Sequence, residues 1–356
     1  MTPVVADGGD LLSEVRSLLE GGGAVMRSRD VLFVHGPDAQ SYLQGQCSQD
    51  VDALAVGSAA DALLLSPEGK VDALVRVVRV AGDGFVVDTD AGFGATVLAR
   101  LGRFKLRSKL TIEELDWECI ALRGGPVPDD LAPAEGGEGE PVGQSVATAW
   151  GGWTGRDVLG PRRATRATLP EGFGWCHDAA WEVARLRMGL PDMGHDLDGR
   201  TIPAEVDGLV EATVSFTKGC YTGQELVARI DARGNKVARH LRGLEMLGGD
   251  VTDMASLLGA RVLVAPSGTT TTLGSKAHEP EIPGTGEGGP QHGDLKEVGT
   301  VTSAAVDPER GTAIALGFLH RSVDPGTRVI LRGESEGGDD PGWTALVHQL
   351  PFPTVG

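Results

Sequence analysis

One eight-residue segment brings together the side chains with the most chemistry in this chain. We name it the octet: Lys218-Gly219-Cys220-Tyr221-Thr222-Gly223-Gln224-Glu225. The residues at 210–216 before it are strand-like, and Thr222 and Glu225 have the spacing of a capping box that begins a helix. Lys218 and Cys220 are therefore expected on a glycine-flanked loop that leads into a helix N-terminus.

The octet has the electrostatics of a reactive thiol or of an anion site. Unpaired amide groups at the helix N-terminus and the ammonium group of Lys218 favour the thiolate form of Cys220 and the binding of a carboxylate. The octet is expected to form an electropositive wall that faces an enclosed cavity. The alternative is that Cys220 is a small packing residue and that Lys218 points into water.

Acidic side chains dominate the chain, with 50 Asp and Glu against 32 Lys and Arg and a net charge of −18. This balance argues against a general nucleic-acid binder. Two basic groups stand out. In the first group, at 103–110, four bases alternate with other residues and would share one face of a strand. The second group lies at 215–243 and includes Arg229. Each alone is typical of a solvated face, but both in one acidic chain indicate an anionic ligand.

Most of the negative charge lies in segments typical of loops. Three stretches rich in glycine and proline together carry −12 of the net charge: 124–143, 266–297 and 333–342. We therefore interpret the acidity as a means of solvation.

The cysteine pattern and the hydropathy narrow the class of protein. The four cysteines lie far apart without a Cys-x-x-Cys pair, and the eight histidines show no ligand spacing, so we predict no metal site and no disulfide scaffold. No apolar run approaches the ~18 residues of a membrane-spanning helix, and residues 1–10 do not resemble a secretory signal. We predict a reduced, cytoplasmic protein without a membrane partner.

The elements that must position the octet follow from hydrophobic periodicity. Three helices are predicted, at 39–45, 95–104 and 178–189. A hairpin is predicted at 59–81. From Arg239 onward the pattern consists of short strands, typical of a small antiparallel barrel or sandwich. The sequence thus predicts an α+β region followed by an all-β module.

The octet resembles the signature of the YgfZ proteins, the folate-binding relatives of the glycine-cleavage T-protein (GcvT). Further matching motifs follow the family's order along the chain: Gly36-Pro37-Asp38-Ala39, Tyr42-Leu43-Gln44-Gly45-Gln46, Ser66-Pro67-Glu68-Gly69-Lys70, Pro203-Ala204-Glu205 and Val298-Gly299-Thr300-Val301-Thr302-Ser303. The resemblance covers nearly the whole chain, between residues 30 and 350 or so.

The resemblance implies an α+β fold, the GcvT-like aminomethyltransferase folate-binding fold. Two interwoven α+β subdomains and a C-terminal antiparallel β-barrel would surround a central hole that binds tetrahydrofolate or another reduced folate. The implied folate-binding region spans 1–235. Its first subdomain would consist of 25–115 and 178–235, and its second of 116–177. The barrel would span 236–356, with a flexible insertion at 266–297.

The resemblance also implies a function, that of an accessory protein supporting iron–sulfur cluster assembly or maintenance in client enzymes, including tRNA-modifying ones. Its partners would be folate and iron–sulfur client or assembly proteins, without direct contact to nucleic acid. The implied folate-binding residues are Glu205, Arg229 and, within the octet, Lys218, Gly219, Cys220, Tyr221, Gln224 and Glu225. Cys220 is in addition the candidate catalytic residue, as a reactive thiol.

A second function stays open beside this one, a folate-dependent one-carbon (aminomethyl or methyl) transferase or demethylase. Against it, Arg187 stands where the aminomethyltransferase is expected to have an acidic residue that meets the pterin. A transferase would also need a catalytic aspartate near 85–93, where Asp88 and Asp90 lie. For each of these two, a place in a turn or at a strand end is the alternative.

Overall fold

The computed structural model describes residues 8–80, 83–128, 131, 141–162, 169–248, 254–265, 295–333 and 342–355. Most of the insertion expected at 266–297 lies outside these ranges, as do parts of the other two acidic segments. Within the described residues, no helix is long and apolar enough to cross a membrane.

Strands and short helices alternate along the chain. The helices are α1 (Gly8–Arg16), α2 (Ala39–Gln46), α3 (Gly94–Lys105), α4 (Asp178–Met188), α5 (Leu209–Thr213) and α6 (Gln224–Asp231). The strands are β1 (Gly23–Arg27), β2 (Arg29–His35), β3 (Ala59–Leu65), β4 (Val71–Arg79), β5 (Gly84–Asp90), β6 (Thr111–Leu115), β7 (Trp117–Arg123), β8 (Gln144–Trp150), β9 (Trp153–Pro161), β10 (Gly174–Trp175), β11 (Arg239–Met246), β12 (Arg261–Val264), β13 (Lys296–Asp307), β14 (Thr312–His320), β15 (Arg328–Arg332) and β16 (Trp343–His348). The helices predicted at 39–45, 95–104 and 178–189 and the β3–β4 hairpin are confirmed.

Two five-stranded sheets pack face to face. The first has the order β3-β4-β5-β2-β6 and the second the order β10-β1-β7-β9-β8. Val78 and Val86 of the first sheet pack against Trp117 and Leu159 of the second in one buried cluster. Helices α2 and α3 cover the outer face of the first sheet, and α1 and α4 pack on the second. Burying an apolar layer on both faces of a sheet is what stabilises this stacking.

The strands from β11 to β16 close into an antiparallel barrel with the order β11-β14-β13-β12-β15-β16. Closure leaves no free sheet edge. The barrel packs on the rest of the chain through Leu186 of α4 and Leu65 of β3, which share a buried cluster with Leu316 and Phe318 of β14. The division of the chain into subdomains at the boundaries given above stays a prediction.

The basic segment at 103–110 is not a strand, which corrects the first of the two basic groups. Helix α3 continues to Lys105, irregular backbone follows, and β6 begins only at Thr111. The amphipathic pattern of α3 extends to Phe104, which packs against the core beneath the first sheet. Bases in the last turn of a helix are also favoured by its dipole, so a short alternation of charges cannot decide between helix and strand.

The segment before the octet is also helical rather than extended. Residues 209–213 form α5, in which the Thr213 hydroxyl donates to the carbonyl of Leu209 at 2.6 Å. The expected capping box is wrong as well, because the N-cap of α6 is Gly223 with φ 83°. A Cβ at Gly223 would lie 2.5 Å from the carbonyl oxygen of Ser66, so the close approach of the 66–70 turn requires glycine here.

Candidate functional site

A cavity of about 900 Å³, counted with its open mouth, lies where the two sheets meet α4. We name it the first cavity. Its lining is rich in cations and indole rings: Arg27, Arg29, Arg76, Arg123, Arg185, Trp150, Trp153 and Trp181. Four carboxylates also line it: Asp61, Asp90, Asp157 and Asp192. A cleft with a few polar groups among apolar walls is typical of a small-molecule site.

Buried ion pairs connect the two sheets at the first cavity. Arg76 of β4 donates to Asp88 of β5 at 2.9 Å and to Asp157 of β9 at 2.6 Å. Asp157 also accepts from Arg123 at 2.7 Å, and Asp88 pairs with Arg29 at 2.7 Å. Burial disfavours the charged form of Asp157, but Arg123 and Arg76 outweigh it and hold the pKa of Asp157 well below its usual range. These charges are neutralised within the protein and are not free to bind a ligand.

Arg27 and Asp61 differ from these charges, since neither forms an ion pair within the described part of the chain. The guanidinium carbon of Arg27 lies 4.6 Å from the ring centre of Trp181. Asp61 opposes Arg76 across the β3–β4 ladder, and its side chain is open to the first cavity. The Asp61 side chain is exposed at the cavity, yet the protein atoms around it disfavour its charged form and raise the pKa of Asp61. The first cavity therefore holds one carboxylate and one guanidinium that form no close ion pair among the described residues, and the charge of Arg27 also acts on Asp90 and Asp192.

A second pair of carboxylates lies at the same cavity. Asp90 pairs with Arg29 and accepts from the amide of Met193 at 3.2 Å, yet burial raises its pKa. Asp192 is 3.3 Å from the ring of His195. Burial opposes its ionisation, but His195 and the nearby arginines lower the pKa of Asp192 to about 2. Asp90 is thus the more easily protonated carboxyl of the two.

The octet lies away from the first cavity and contributes no residue to its lining. Lys218 donates to the carbonyls of Gln44, Cys47 and Gln49 at 2.5, 2.6 and 2.9 Å. An ammonium group has three N–H donors, and these three carbonyls use all of them. Burial lowers the pKa of Lys218. The expectation of an electropositive wall is therefore wrong for the first cavity, because this lysine fastens the octet to the end of α2.

The other octet side chains lie at or near the surface. Gly219, Cys220 and Glu225 are exposed, while Tyr221 and Gln224 are half-buried. Gln224 accepts from the amide of Tyr221 at 3.2 Å, and the Lys218 ammonium lies 5.2 Å from the Tyr221 ring centre. Cys220 precedes α6 by four positions, so its thiol does not cap that helix. The structure keeps these residues together and presents Cys220 to solvent.

The remaining predicted site residues are scattered. Glu205 is buried and makes a bidentate pair with Arg239 at 2.9 and 3.0 Å. Arg187 pairs with Asp307 and Glu309, which joins α4 to the barrel. Arg229 is exposed on α6. Neither Glu205 nor Arg229 lines the first cavity, and both oxygens of the Glu205 carboxylate are already engaged.

Sequence reasoning named Asp90 of the first cavity's lining and missed most of the other residues there. Asp61 did give a signal, since it is the one charged residue in the apolar strand Ala59–Leu65. Arg123 likewise ends a strand, β7, whose residues are all buried. A buried charge such as that of Arg123 needs a partner. The partners come from strands distant in sequence, and no local pattern identifies them.

Comparisons with known proteins agree with this fold. No family model matches the chain. An uncharacterized protein of Haemophilus influenzae is 30% identical over 57% of this chain and 66% of its own length. The tRNA-modifying protein YgfZ of Klebsiella pneumoniae is 31% identical over 56% and 64%. A mitochondrial iron-sulfur cluster assembly factor IBA57 homolog of Neurospora crassa is 27% identical over 61% and 52%. The matches thus span between half and two thirds of these relatives' lengths.

One solved structure matches almost the whole chain. It is the glycine cleavage system aminomethyltransferase T from Bartonella henselae, with a TM-score of 0.70 and 20% sequence identity. The superposition covers 96% of this chain and 89% of that one. The expected fold class, α+β of the GcvT type with a C-terminal antiparallel barrel, is confirmed.

Proposed function

Because the chain belongs to the YgfZ family, related to GcvT, we propose that it is a folate-binding accessory protein for iron–sulfur enzymes. It would support cluster assembly or maintenance in client enzymes, including tRNA-modifying ones, and its partners would be iron–sulfur client or assembly proteins in the cytoplasm. The likeness to an iron-sulfur cluster assembly factor and to a tRNA-modifying protein supports the iron–sulfur and tRNA part. The first cavity supports the folate part.

The first cavity fits the chemistry of a reduced folate. A pterin presents adjacent N–H donors that match a carboxylate, and a ring oxygen that matches a guanidinium. Asp61 and Arg27 supply one group of each kind without an ion-pair partner among the described residues. Trp150, which is half-buried, adds apolar surface for a planar ligand. The presence of a carboxylate and a guanidinium in one cavity, neither in an ion pair among the described residues, is the observation that carries the proposal.

Titration calorimetry with tetrahydrofolate tests the folate part. We expect the protein to bind tetrahydrofolate and Arg27→Met to weaken binding at least ~10-fold, because a charge-assisted hydrogen bond is lost. Arg328→Met is the matched control, since Arg328 is exposed on the barrel and lies outside the first cavity. No detectable heat at high micromolar ligand would remove the folate part.

A deletion strain tests the iron–sulfur part. We expect iron–sulfur enzymes to lose activity when the gene is absent and to regain it with the intact chain. Normal activities in the deletion strain would contradict the accessory role.

The octet is proposed to act at the protein surface. Its folate contacts stay predictions, as does the reactive thiol of Cys220, which the structure leaves exposed to a partner or a reagent. We expect Cys220→Ser to lose complementing activity in the deletion strain, while Cys176→Ser, at a half-buried thiol, keeps it. Full complementation by Cys220→Ser would show that the thiol has no chemical role.

Asp61 also favours a second candidate function, the folate-dependent one-carbon transferase or demethylase. Such an enzyme needs a carboxylate beside the reacting nitrogens of the folate as an acid–base group. Asp88 and Glu205 are engaged by arginines, whereas Asp61 is open to the first cavity. A structure with bound tetrahydrofolate in which Asp61 lies more than one water from N5 and N10 would contradict this function.

A further inference from the structure

The turn that follows α3 carries the most exposed large apolar side chain among the described residues. That side chain is Leu106, which is 90% exposed. The amide of Ser108 donates to the carbonyl of Lys105 at 2.8 Å, so the two residues between them lie at the tip of a tight turn. We name residues 103–109 the basic turn. None of them lines the first cavity, so the proposed folate site does not explain the features of this turn.

The backbone of Leu106 is strained. Its φ is 35° and its ψ is −98°, a combination that only glycine adopts readily. Asn235 is the one other non-glycine residue with a positive φ in the described ranges, and asparagine is much more common in that region than leucine. The strained backbone thus holds an apolar side chain in water. Such conformations cluster where a residue serves a function rather than the fold.

Positive charges surround Leu106. Four basic residues flank it in the basic turn: Arg103, Lys105, Arg107 and Lys109. None of the four forms an ion pair within the ranges that the structure describes, although the chain carries a net charge of −18. The dipole of α3 favours the two bases in its last turn, but Arg107 and Lys109 lie beyond the helix. The stability of the helix therefore does not account for the whole group.

We infer that the basic turn is a docking site for a second protein whose surface has an apolar pocket bordered by carboxylates. Leu106 enters the pocket, and the flanking bases pair with the carboxylates at its rim, which is the usual arrangement of an apolar centre with a polar border. The charge of the basic turn favours such an acidic partner over a neutral or basic one.

A protein fits the basic turn better than a nucleic acid does. Single-stranded nucleic acids are bound by aromatic side chains that stack on the bases. The aromatic residue of the basic turn, Phe104, instead packs against the core beneath the first sheet. An exposed leucine offers no stacking surface, but it can fill an apolar pocket on a protein. The inference adds a partner surface to the proposed function and does not depend on folate binding.

Leu106→Gly separates docking from a structural role. Glycine relieves the strained backbone and removes only a solvent-exposed side chain, so the variant should unfold at a urea concentration no lower than that of the unaltered chain. In the deletion strain it should restore roughly tenfold less iron–sulfur enzyme activity, because the partner loses its apolar anchor. Val56→Gly is the matched control, since Val56 is 62% exposed in another turn, and it should restore the activity fully.

Arg107→Gln combined with Lys109→Gln tests the charges. We expect this double variant to lower the restored activity several-fold, since two ion pairs with the partner are lost. Arg321→Gln combined with Arg328→Gln is the matched control, because both arginines are exposed in the barrel region. It removes the same amount of charge and should leave the activity unchanged.

Photo-crosslinking tests the docking site without relying on complementation. The full chain with Leu106→p-benzoylphenylalanine, or with Val56→p-benzoylphenylalanine as the control, is irradiated in living cells of the deletion strain. We expect one protein adduct that is specific to position 106. That protein, once purified, should bind the unaltered chain roughly tenfold more tightly than it binds Leu106→Gly, and its affinity should fall as the salt concentration is raised.

Several results would overturn the inference. They are an adduct sensitive to ribonuclease, an adduct between two copies of this chain, the absence of an adduct specific to position 106, and full complementation by Leu106→Gly. A lower urea midpoint for Leu106→Gly would also contradict it, because the side chain would then serve the fold. If the unaltered chain itself does not complement the deletion, the accessory function fails, and the crosslinking result alone decides on the docking site.

Discussion

Asp61 and Asp157 are the same type of side chain at the same cavity, but their surroundings shift their pKa in opposite directions. Asp157 is held charged by two arginines that outweigh its burial, whereas the arginines near Asp61 do not offset its burial. Arg76 is committed to Asp157 and Asp88, so it does not pair with Asp61 across the ladder. Of the two, Asp61 is thus the carboxylate whose charged form is less favoured, and a perturbed pKa in a cleft is common where a residue serves a ligand.

Asp61→Asn is expected to stabilise the protein at neutral pH and to weaken ligand binding. An acid whose native pKa is raised above 3.8 loses its contribution to stability as pH rises from that value through the native pKa, so removing the charge helps above this window. Thermal melting at pH 7 should show a higher midpoint. Tetrahydrofolate affinity should fall several-fold, because one acceptor is lost. The exposed Asp324→Asn is the control, and a lower melting temperature for Asp61→Asn would contradict the assignment.

At the scale of elements, the octet is held by the 66–70 turn and the end of α2. Gly223 packs on the turn, and Lys218 binds three carbonyls of the segment 44–49. The motif of the octet was recognisable in the sequence, but the binding of Lys218 to backbone carbonyls at the end of α2 was not. The reason is that the carbonyls it binds lie about 170 positions earlier in the chain.

Gly223→Ala is expected to destabilise the protein by about 2 kcal/mol, because the new Cβ meets the Ser66 carbonyl at 2.5 Å and the backbone has φ 83°. Gly219→Ala in the same octet is the control, since a Cβ there has no heavy atom within 4 Å. Urea unfolding measures both. Equal midpoints for the two variants would show that the approach to the turn is not required.

Lys218→Met is expected to cost about 2 kcal/mol, because three half-buried carbonyls lose a charged donor. The exposed Lys236→Met should be close to neutral. Urea unfolding again gives the comparison. If the two variants unfold at the same urea concentration, the contacts of Lys218 contribute nothing measurable to the fold.

At the scale of the whole molecule, charged pairs join the three layers of the fold. Arg76 connects the two sheets through Asp157, Arg187 connects α4 to the barrel through Asp307, and Glu205 reaches β11 through Arg239. These carboxylates are buried, so each pair depends on its carboxylate staying ionised. The fold should therefore be sensitive to acid.

Asp157→Asn is expected to cost about 3 kcal/mol at pH 7, because Arg76 and Arg123 keep their buried charge without it. The native pKa of Asp157 is lowered, so its contribution is present above the unfolded pKa of ~3.9 and is lost as pH falls toward the native pKa. Urea unfolding should show that the free energies of unfolding of the variant and the unaltered chain become more similar from pH 7 to about pH 3. The exposed pair of Asp116 with Arg162 supplies the control, and Asp116→Asn should be near neutral throughout. If the free energy of unfolding of Asp157→Asn differed from that of the unaltered chain by the same amount at every pH, the link between stability and the pKa of Asp157 would be contradicted.

The sequence by itself determined the fold class, three of the helices, the β3–β4 hairpin and the barrel, because periodicity and turn residues are local properties. It also supplied the octet that led to the family. It misassigned 103–110 and 210–216, where a few residues fit helix and strand equally. Only the tertiary structure decided that Arg27 and Asp61 share a cavity and that Lys218 is buried against α2. Such outcomes depend on which distant strands supply the neutralising charge, and that is fixed only when the sheets pack.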